Sequence, residues 1–526
     1  MNCGRIQPLM SRFRRAIHGV ASSYVLLAAT ALYSLASIPV ALHYLDPQRF
    51  GLWMVMGTLA GYLSLIDAGM TGAAARLLID HKDDRNGGNY GSFVQTGWLV
   101  SILQGLIIFV IGLCLAGTFA RLLAISALLQ PEFIRLVNWQ CGVVGLMFST
   151  RMLGLILNAH QRMDLSNYIG VCGLIVNFAA QWIFFHLGFG VISLALGSLV
   201  SLVVNVAFQA SACVVLKLFP RAGSWGRASW RHFHDIFNYG KDLFLVGVGT
   251  QLIMTSQTIV ITRVLGLEAA AMWGVGLRVF NLLNQLIWRL YDMSQAALAE
   301  MLARGEISRL RDRYRSLAIL TFSLAGWMAV SFALCNSLFI TIWTHDKIHW
   351  PAGNDWLLAC WMILSAVVHC HNSFALLTKQ VGFMRYIYFL EGVVFVALSF
   401  LVARWGGLPA IIGCSILCTT AFSGAYGVWR MSHFFQLPLG EVAVDWLRPM
   451  FKLLLGCLPV AGLTWWLLSP VPGPARLGIN VALAVSLGGY LFLRYGIPAA
   501  FQVELLRRVP AKATPWLKRV FLQPAN

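Results

Sequence analysis

Of the 526 residues, 58% are hydrophobic and 11% charged, and the formal net charge is +19. Globular domains carry about 45–50% apolar and about 25% charged residues, so a soluble multidomain protein is excluded. Lys and Arg sit in short runs between apolar segments, which argues against nucleic acid and for attraction to anionic membrane lipid.

In chain order, a basic leader (Arg5, Arg12, Arg14, Arg15) precedes a long apolar stretch. A cleaved signal peptide would have a shorter apolar core and a small-residue cleavage site, so this stretch is predicted as a retained helix. Runs of about twenty apolar residues span a bilayer. They fall at 20–42, 51–78, 93–118, 135–157, 168–187, 190–216, 242–262, 270–299, 317–342, 356–378, 386–403, 408–429, 449–468 and 477–499. The predicted fold is an all-α polytopic membrane protein of about 14 transmembrane helices. With the N-terminus in the cytoplasm, and residues near a span end counted with the side they approach, 29 Lys and Arg lie on the cytoplasmic side and seven outside, while Arg151, Arg278 and Arg289 lie deeper within spans. The positive-inside rule then puts both termini in the cytoplasm.

An internal repeat is suggested at offsets near 220. Tyr44–Trp53 resembles Val264–Trp273, Ile66-Asp67 resembles Tyr291-Asp292, and Leu157–Gln161 resembles Leu376–Gln380. Six helices per copy give parallel repeats. The expected organisation is a six-helix lobe at 1–218, a basic cytoplasmic linker at 219–240, and a second six-helix lobe at 241–430. Two further helices lie at 449–500, followed by a basic tail at 501–526. In the linker, Ser229 suits an N-cap, Trp230, Phe233 and Phe237 fall at helical spacing, and Gly240 suits a stop, so an interfacial helix is expected.

The polar residues inside spans mark the candidate site. A charge at mid-bilayer costs about 2.5–3.5 kcal/mol even on the lenient scale. Span eight carries Arg278, Arg289 and Asp292, and a helical wheel puts them with Asn281, Asn284 and Gln285 on one side. The opposite side is all apolar. The functional expectation is a wet cationic stripe lining a substrate cavity. The alternative is a packing seam with Arg289 paired to Asp292. Arg151 in span four and Gln251 in span seven are weaker cavity candidates. Asp67 reads equally as a cap, an arginine partner or an ion-coupling acid, and Glu391 is a similar buried acid. His369-Cys370-His371 resembles a metal motif, but residues two apart on a helix diverge, so no metal is expected. Eleven scattered cysteines without CxxC argue against a disulfide framework. The chain has no P-loop, HExxH or GxSxG, which leaves a secondary transporter as the default and no enzyme activity expected.

Leu45-Asp-Pro-Gln-Arg-Phe-Gly-Leu-Trp53 with Tyr62-Leu-Ser-Leu-Ile-Asp-Ala-Gly69 resembles the opening hairpin of Wzx-type polysaccharide and O-antigen flippases. These belong to the multidrug/oligosaccharidyl-lipid/polysaccharide exporter superfamily. The resemblance implies two lobes around a central cavity that opens alternately to each side. It implies a polyprenyl-diphosphate-linked oligosaccharide as cargo, and a surface-polysaccharide polymerase and export machinery as partners. On this expectation Arg278, Arg289 and Arg151 hold diphosphate or acidic sugars, while Asn281, Asn284 and Gln285 meet hydroxyls. No cofactor is implied beyond a proton or sodium gradient, coupled through Asp67 or Asp292. A cation or drug exporter of the same fold, and a membrane-embedded glycan polymerase or ligase, are the alternatives.

Overall fold

The computed structural model describes residues 6–84, 88–378, 382–468 and 470–508, with 515, 517, 520 and 521. Every regular element among them is helical, and the chain forms two compact units, Met1–Ala271 and Met272–Asn526. Among the described residues, twelve helices are long and apolar enough to cross a membrane. The expected fourteen is not reached on those criteria, for two reasons. Met384–Phe435 counts once although Gly407 breaks it with φ 57° and ψ −145°, and Leu267–Asp292 carries the charged stripe and is not among the twelve.

The first unit contains α1 (Ile6–Tyr44), α2 (Pro47–Leu63), α3 (Met70–His81), α4 (Asn89–Leu122) and α5 (Gln130–Thr150). It continues through α6 (Met152–Ala159), α7 (Met163–His186), α8 (Ile192–Val215) and α9 (Trp230–Leu265). The motif Asp46-Pro47 starts α2: the Asp46 carboxylate accepts the Arg49 N–H at 2.8 Å, and Pro47 occupies the first turn, where its missing N–H costs nothing. Gly51 in the same motif lies against the Leu267 carbonyl, where a Cβ would come within 2.3 Å. The expected single span 51–78 is two helices. A short 3₁₀ turn, Ser64–Asp67, runs into Ala68 (φ 48°) and Gly69 (φ 75°), and these two left-handed residues restart the chain as α3.

The linker is pinned to the start of α4. Tyr90 Oη donates to Leu218 O at 3.0 Å, Ser92 Oγ to Arg227 O at 2.5 Å, and the Ser229 N–H to Thr96 Oγ1 at 3.1 Å. A Cβ on Gly91 would meet the Trp225 backbone at 2.5 Å, and Trp225 stacks on Trp98. The expected interfacial helix does not stop at Gly240. It forms the first turns of α9, which runs on to Leu265. One glycine weakens a helix by about 1 kcal/mol, less than the burial of Ile236 and Phe233 against Met70 and Ala73 of α3 returns. This helix belongs to the first compact unit, whereas the sequence groups residues from 241 onward with the second lobe.

The second unit continues α10 (Leu267–Asp292) and adds α11 (Gln295–Ala303), α12 (Ile307–Trp343), α13 (Gly353–Leu377) and α14 (Met384–Thr419). After a π-turn at Thr420–Gly424 come α15 (Ala425–Phe435), α16 (Arg448–Leu467), α17 (Gly473–Leu483), α18 (Gly489–Leu491) and α19 (Ala499–Arg508). The expected span 270–299 also breaks, at Met293-Ser294. α12 is the central helix, packed against α13, α16 and α17. Buried Asp355 ties the α12–α13 turn together by accepting from Asn336 Nδ2 (2.7 Å), Trp350 Nε1 (2.7 Å) and the Ser337 N–H (3.0 Å). Trp350 in turn covers Gly276, where a Cβ would fall 2.3 Å from its ring, so this knot sets the course of α10. Most of the basic tail 501–526 beyond Arg508 lies outside the described residues.

Candidate functional site

The sequence-predicted site residues fall mainly in two polar constellations, one in each unit. In the first, Asp67 and Arg151 meet. Arg151 Nη1 donates to Asp67 Oδ1 at 2.5 Å, Nε donates to Ser101 Oγ at 3.1 Å, and Nη2 donates to Gln104 Oε1. Gln104 Nε2 returns to the Ile66 carbonyl at 2.9 Å, and the Asp67 carboxylate accepts the Thr71 N–H at 3.2 Å. Asp67 is therefore both arginine partner and cap, at the point where α2 gives way to α3. Phe148 lies 4.8 Å under the guanidinium. The adjoining cavity, lined by Thr71, Gly97, Ser101 and Arg151, is about 10 Å³, room for no more than a water molecule. Arg151 thus spends its donors inside the unit. Gln251 does likewise: its Nε2 donates to the Gly61 carbonyl at 2.5 Å and its Oε1 accepts from Thr255, tying α9 to α2.

The second constellation is the α10 stripe. Phe280, Ile287 and Tyr291 are buried on one face of the helix, while Asn281, Gln285, Arg289 and Asp292 are exposed on the other and Arg278 is half-buried. This segregation follows the 3.6-residue period of the sequence. Asn284 departs from the stripe: it is buried and accepts from Ser365 Oγ at 3.1 Å. Asp292 bonds to His369 Nε2 of α13 at 2.8 Å and accepts from Gln295 at 3.1 Å, so its partners differ from the Arg289 of the alternative packing-seam reading. Trp288 stacks on the His369 ring, with 4.7 Å between centroids and 9° between planes. Its neighbour His371 points the other way, buried against Tyr314 Oη at 2.8 Å. Among the described residues no cluster of His, Cys, Asp or Glu is arranged to hold a metal.

Gln104, Ser101 and His369 were not singled out from the sequence as members of these sites. Gln104 had a signal, an amide inside a strongly apolar span, and His369 was visible only as half of a metal-like motif. A cleft of about 480 Å³ in the first unit was also unforeseen; Tyr44, Arg49, Glu132, Arg135 and Phe189 line it, and Arg49 pairs there with Glu132 at 3.1 Å. It is assembled from three turns far apart in sequence.

The helical fold is similar to that of solved transporters of the MOP superfamily. The inward-facing conformation of a multidrug resistance MATE family transporter of that superfamily superposes with a TM-score of 0.68 at 15% identity, covering 77% of this chain and 95% of that one. The lipid II flippase MurJ in an inward closed conformation gives 0.65 at 11% identity, covering 93% of this chain and all of that one. A MOP-superfamily transporter from Pyrococcus furiosus, described as having a binding pocket of reverse polarity, gives 0.53 at 14% identity, covering 81% and 95%. No curated protein matches the chain in sequence. Residues 43–347 match the family described as polysaccharide biosynthesis protein, and the chain belongs to that family.

Proposed function

We propose that this protein translocates a polyprenyl-diphosphate-linked oligosaccharide across the inner membrane by alternating access, for surface polysaccharide biosynthesis. The observation that carries the reading is the α10 stripe: Arg289, Asn281 and Gln285 exposed on one face of a helix whose other face is apolar core. Intramembrane charges of this kind mark substrate or ion paths. Guanidinium groups suit diphosphate because they bond it bidentately, whereas a carrier of cationic drugs would present carboxylates. Membership of a polysaccharide biosynthesis family and the likeness in fold to a lipid II flippase support the same cargo class. On this reading Arg278 and Arg289 receive the diphosphate and Asn281 and Gln285 the sugar hydroxyls. A proton or sodium gradient supplies energy, both termini are cytoplasmic, and a polymerase takes the product on the outer side.

The test is complementation of a flippase-null strain. Arg278→Ala/Arg289→Ala, expressed at wild-type level, is expected to abolish surface-polysaccharide display. Full display by that variant would overturn the assignment. Sensitivity to cationic drugs in the same strains separates drug export, which predicts a change in resistance and no change in display.

A further inference from the structure

Glu391 lies in the first half of α14, 1% exposed, inside the segment Met384–Phe435 that is apolar enough to span the membrane. It faces the second half of the same helical pair where that half loosens into the π-turn Thr420–Gly424. Its Oε2 accepts the Ser423 N–H at 3.1 Å, and the hydroxyls of Ser423 and Thr419 are its other partners. All of these are neutral. The titratable groups beside it are Tyr388 on α14 and Cys418 across the kink, both neutral in their ordinary forms. From α13, Asn372 completes the cluster, with Nδ2 donating to Tyr388 Oη at 2.9 Å and to the Ser423 carbonyl at 3.3 Å. The turn is sterically tight: a Cβ on Gly424 would fall 2.8 Å from the Thr419 carbonyl.

A carboxylate held by neutral donors in this setting costs several kcal/mol, because no charged partner among the described residues repays its desolvation. A carboxylic acid avoids that cost. Single π-turns within α-helices recur at functional sites, where a register change of one residue is stored. We propose that Glu391 is a proton-binding site coupled to the Thr420–Gly424 turn. With the proton on its carboxyl the turn is closed as described. On deprotonation the carboxyl O–H bond breaks, the proton passes to water, and the carboxylate draws water in by opening the turn. Reprotonation from water closes it. Neither Asp67, paired with Arg151, nor Asp292, paired with His369, offers this neutral enclosure.

The experiment uses the full chain purified in lipid nanodiscs, with infrared difference spectroscopy and hydrogen exchange at Ser423. At neutral pH the wild type is expected to show the carbonyl band of a buried protonated carboxyl, shifted in D₂O and lost in Glu391→Gln, whose amide keeps the acceptor for Ser423. As the acid begins to ionise, exchange at Ser423 should rise by up to about tenfold per pH unit in the wild type relative to Glu391→Gln, as one linked proton requires. Should the variant fold poorly, ¹³C-glutamate labelling of the wild type reads the same band without a substitution. An ionised carboxylate at neutral pH, or a wild-type-to-variant exchange ratio independent of pH, would overturn the proposal. Neither readout involves cargo, so this result and the complementation result above stand or fall separately.

Discussion

The breaks after Asp67 and after Asp292 are the same chain feature in two environments. In each unit a helix segment ends on an aspartate and a shorter helix restarts within a few residues, through Ala68-Gly69 in the first and Met293-Ser294 in the second. Asp67 is enclosed: it and Arg151 are 21% and 16% exposed, and Ser101, Gln104 and Thr71 complete their hydrogen bonds. Asp292 is 42% exposed and bonded to an imidazole, beside the uncovered Arg289 and Gln285. The first aspartate is therefore a fixed strut, and the second sits at an open surface. The feature belongs to the backbone break, and the partner decides whether the acid serves stability or function.

The sharpest way to break that contrast is Arg151→Ala. It leaves a buried carboxylate and the Gln104 oxygen without their donor. Removing one partner of a buried pair costs about 3–5 kcal/mol, and the residual exposure here places the expectation at the lower end of that range. A large drop in melting temperature in detergent should follow, with partial recovery in Asp67→Asn/Arg151→Gln, which removes the charge from both sides. Wild-type melting of Arg151→Ala would remove the strut reading.

Arg289→Ala should do the reverse. An exposed side chain away from packing contributes within about 0.5 kcal/mol, so melting should be unchanged while polysaccharide display falls. A melting temperature lowered as far as that of Arg151→Ala would mean the stripe is packed like the first site. Asp292→Asn should cost less than about 1 kcal/mol, since the pair it breaks is partly solvated. Its readout is local: faster hydrogen exchange on α13 around His369, with α3 and α4 unaffected. Equal loosening in both units would show that the two aspartates are not independent.

Much of this contrast was legible in the residues. Asp46-Pro47 announced a helix start, and Asp67-Ala-Gly69 contained the only residue type that takes a left-handed turn at no steric cost, yet the apolar run around it read as one continuous span. Hydropathy has no term for a two-residue change of backbone hand. The wheel of α10 placed Arg278, Arg289, Gln285 and Asn281 away from the core-facing arc, because period alone determines which residues share a face. It misplaced Asn284, whose acceptor is answered by Ser365 from α13, and it gave no sign of His369, which lies across the helix interface from Asp292. Those partners are tens of residues away in sequence, and nothing local encodes them. Arg151 shows the same limit: its type suggested anion binding, but its neighbours from α4 and the α2–α3 break consume its donors.

The smallest expected effect concerns the linker that only the first unit carries. His232, outside the spanning part of α9, bonds through Nδ1 to Ser92 Oγ at 2.9 Å and stacks on Phe93, which also packs His81. Burial holds the His232 imidazole below its ordinary pKa; His81 and Arg231 push the same way and Asp235 opposes them. A base with a lowered folded-state pKa binds fewer protons folded than unfolded. Its contribution to docking the linker is thus complete above the ordinary histidine range, about pH 6.5, and is lost as the pH falls through the lowered value. Hydrogen exchange across 219–229, corrected for intrinsic rates, should speed up a few-fold on acidification in the wild type and less in His232→Gln, while exchange around Asp67 stays constant. Equal acid sensitivity in both proteins would assign the effect to another group. Parallel acid loosening around Asp67 would show that the strut and the linker open together, so that the rigid half of the comparison extends only as far as the linker stays docked.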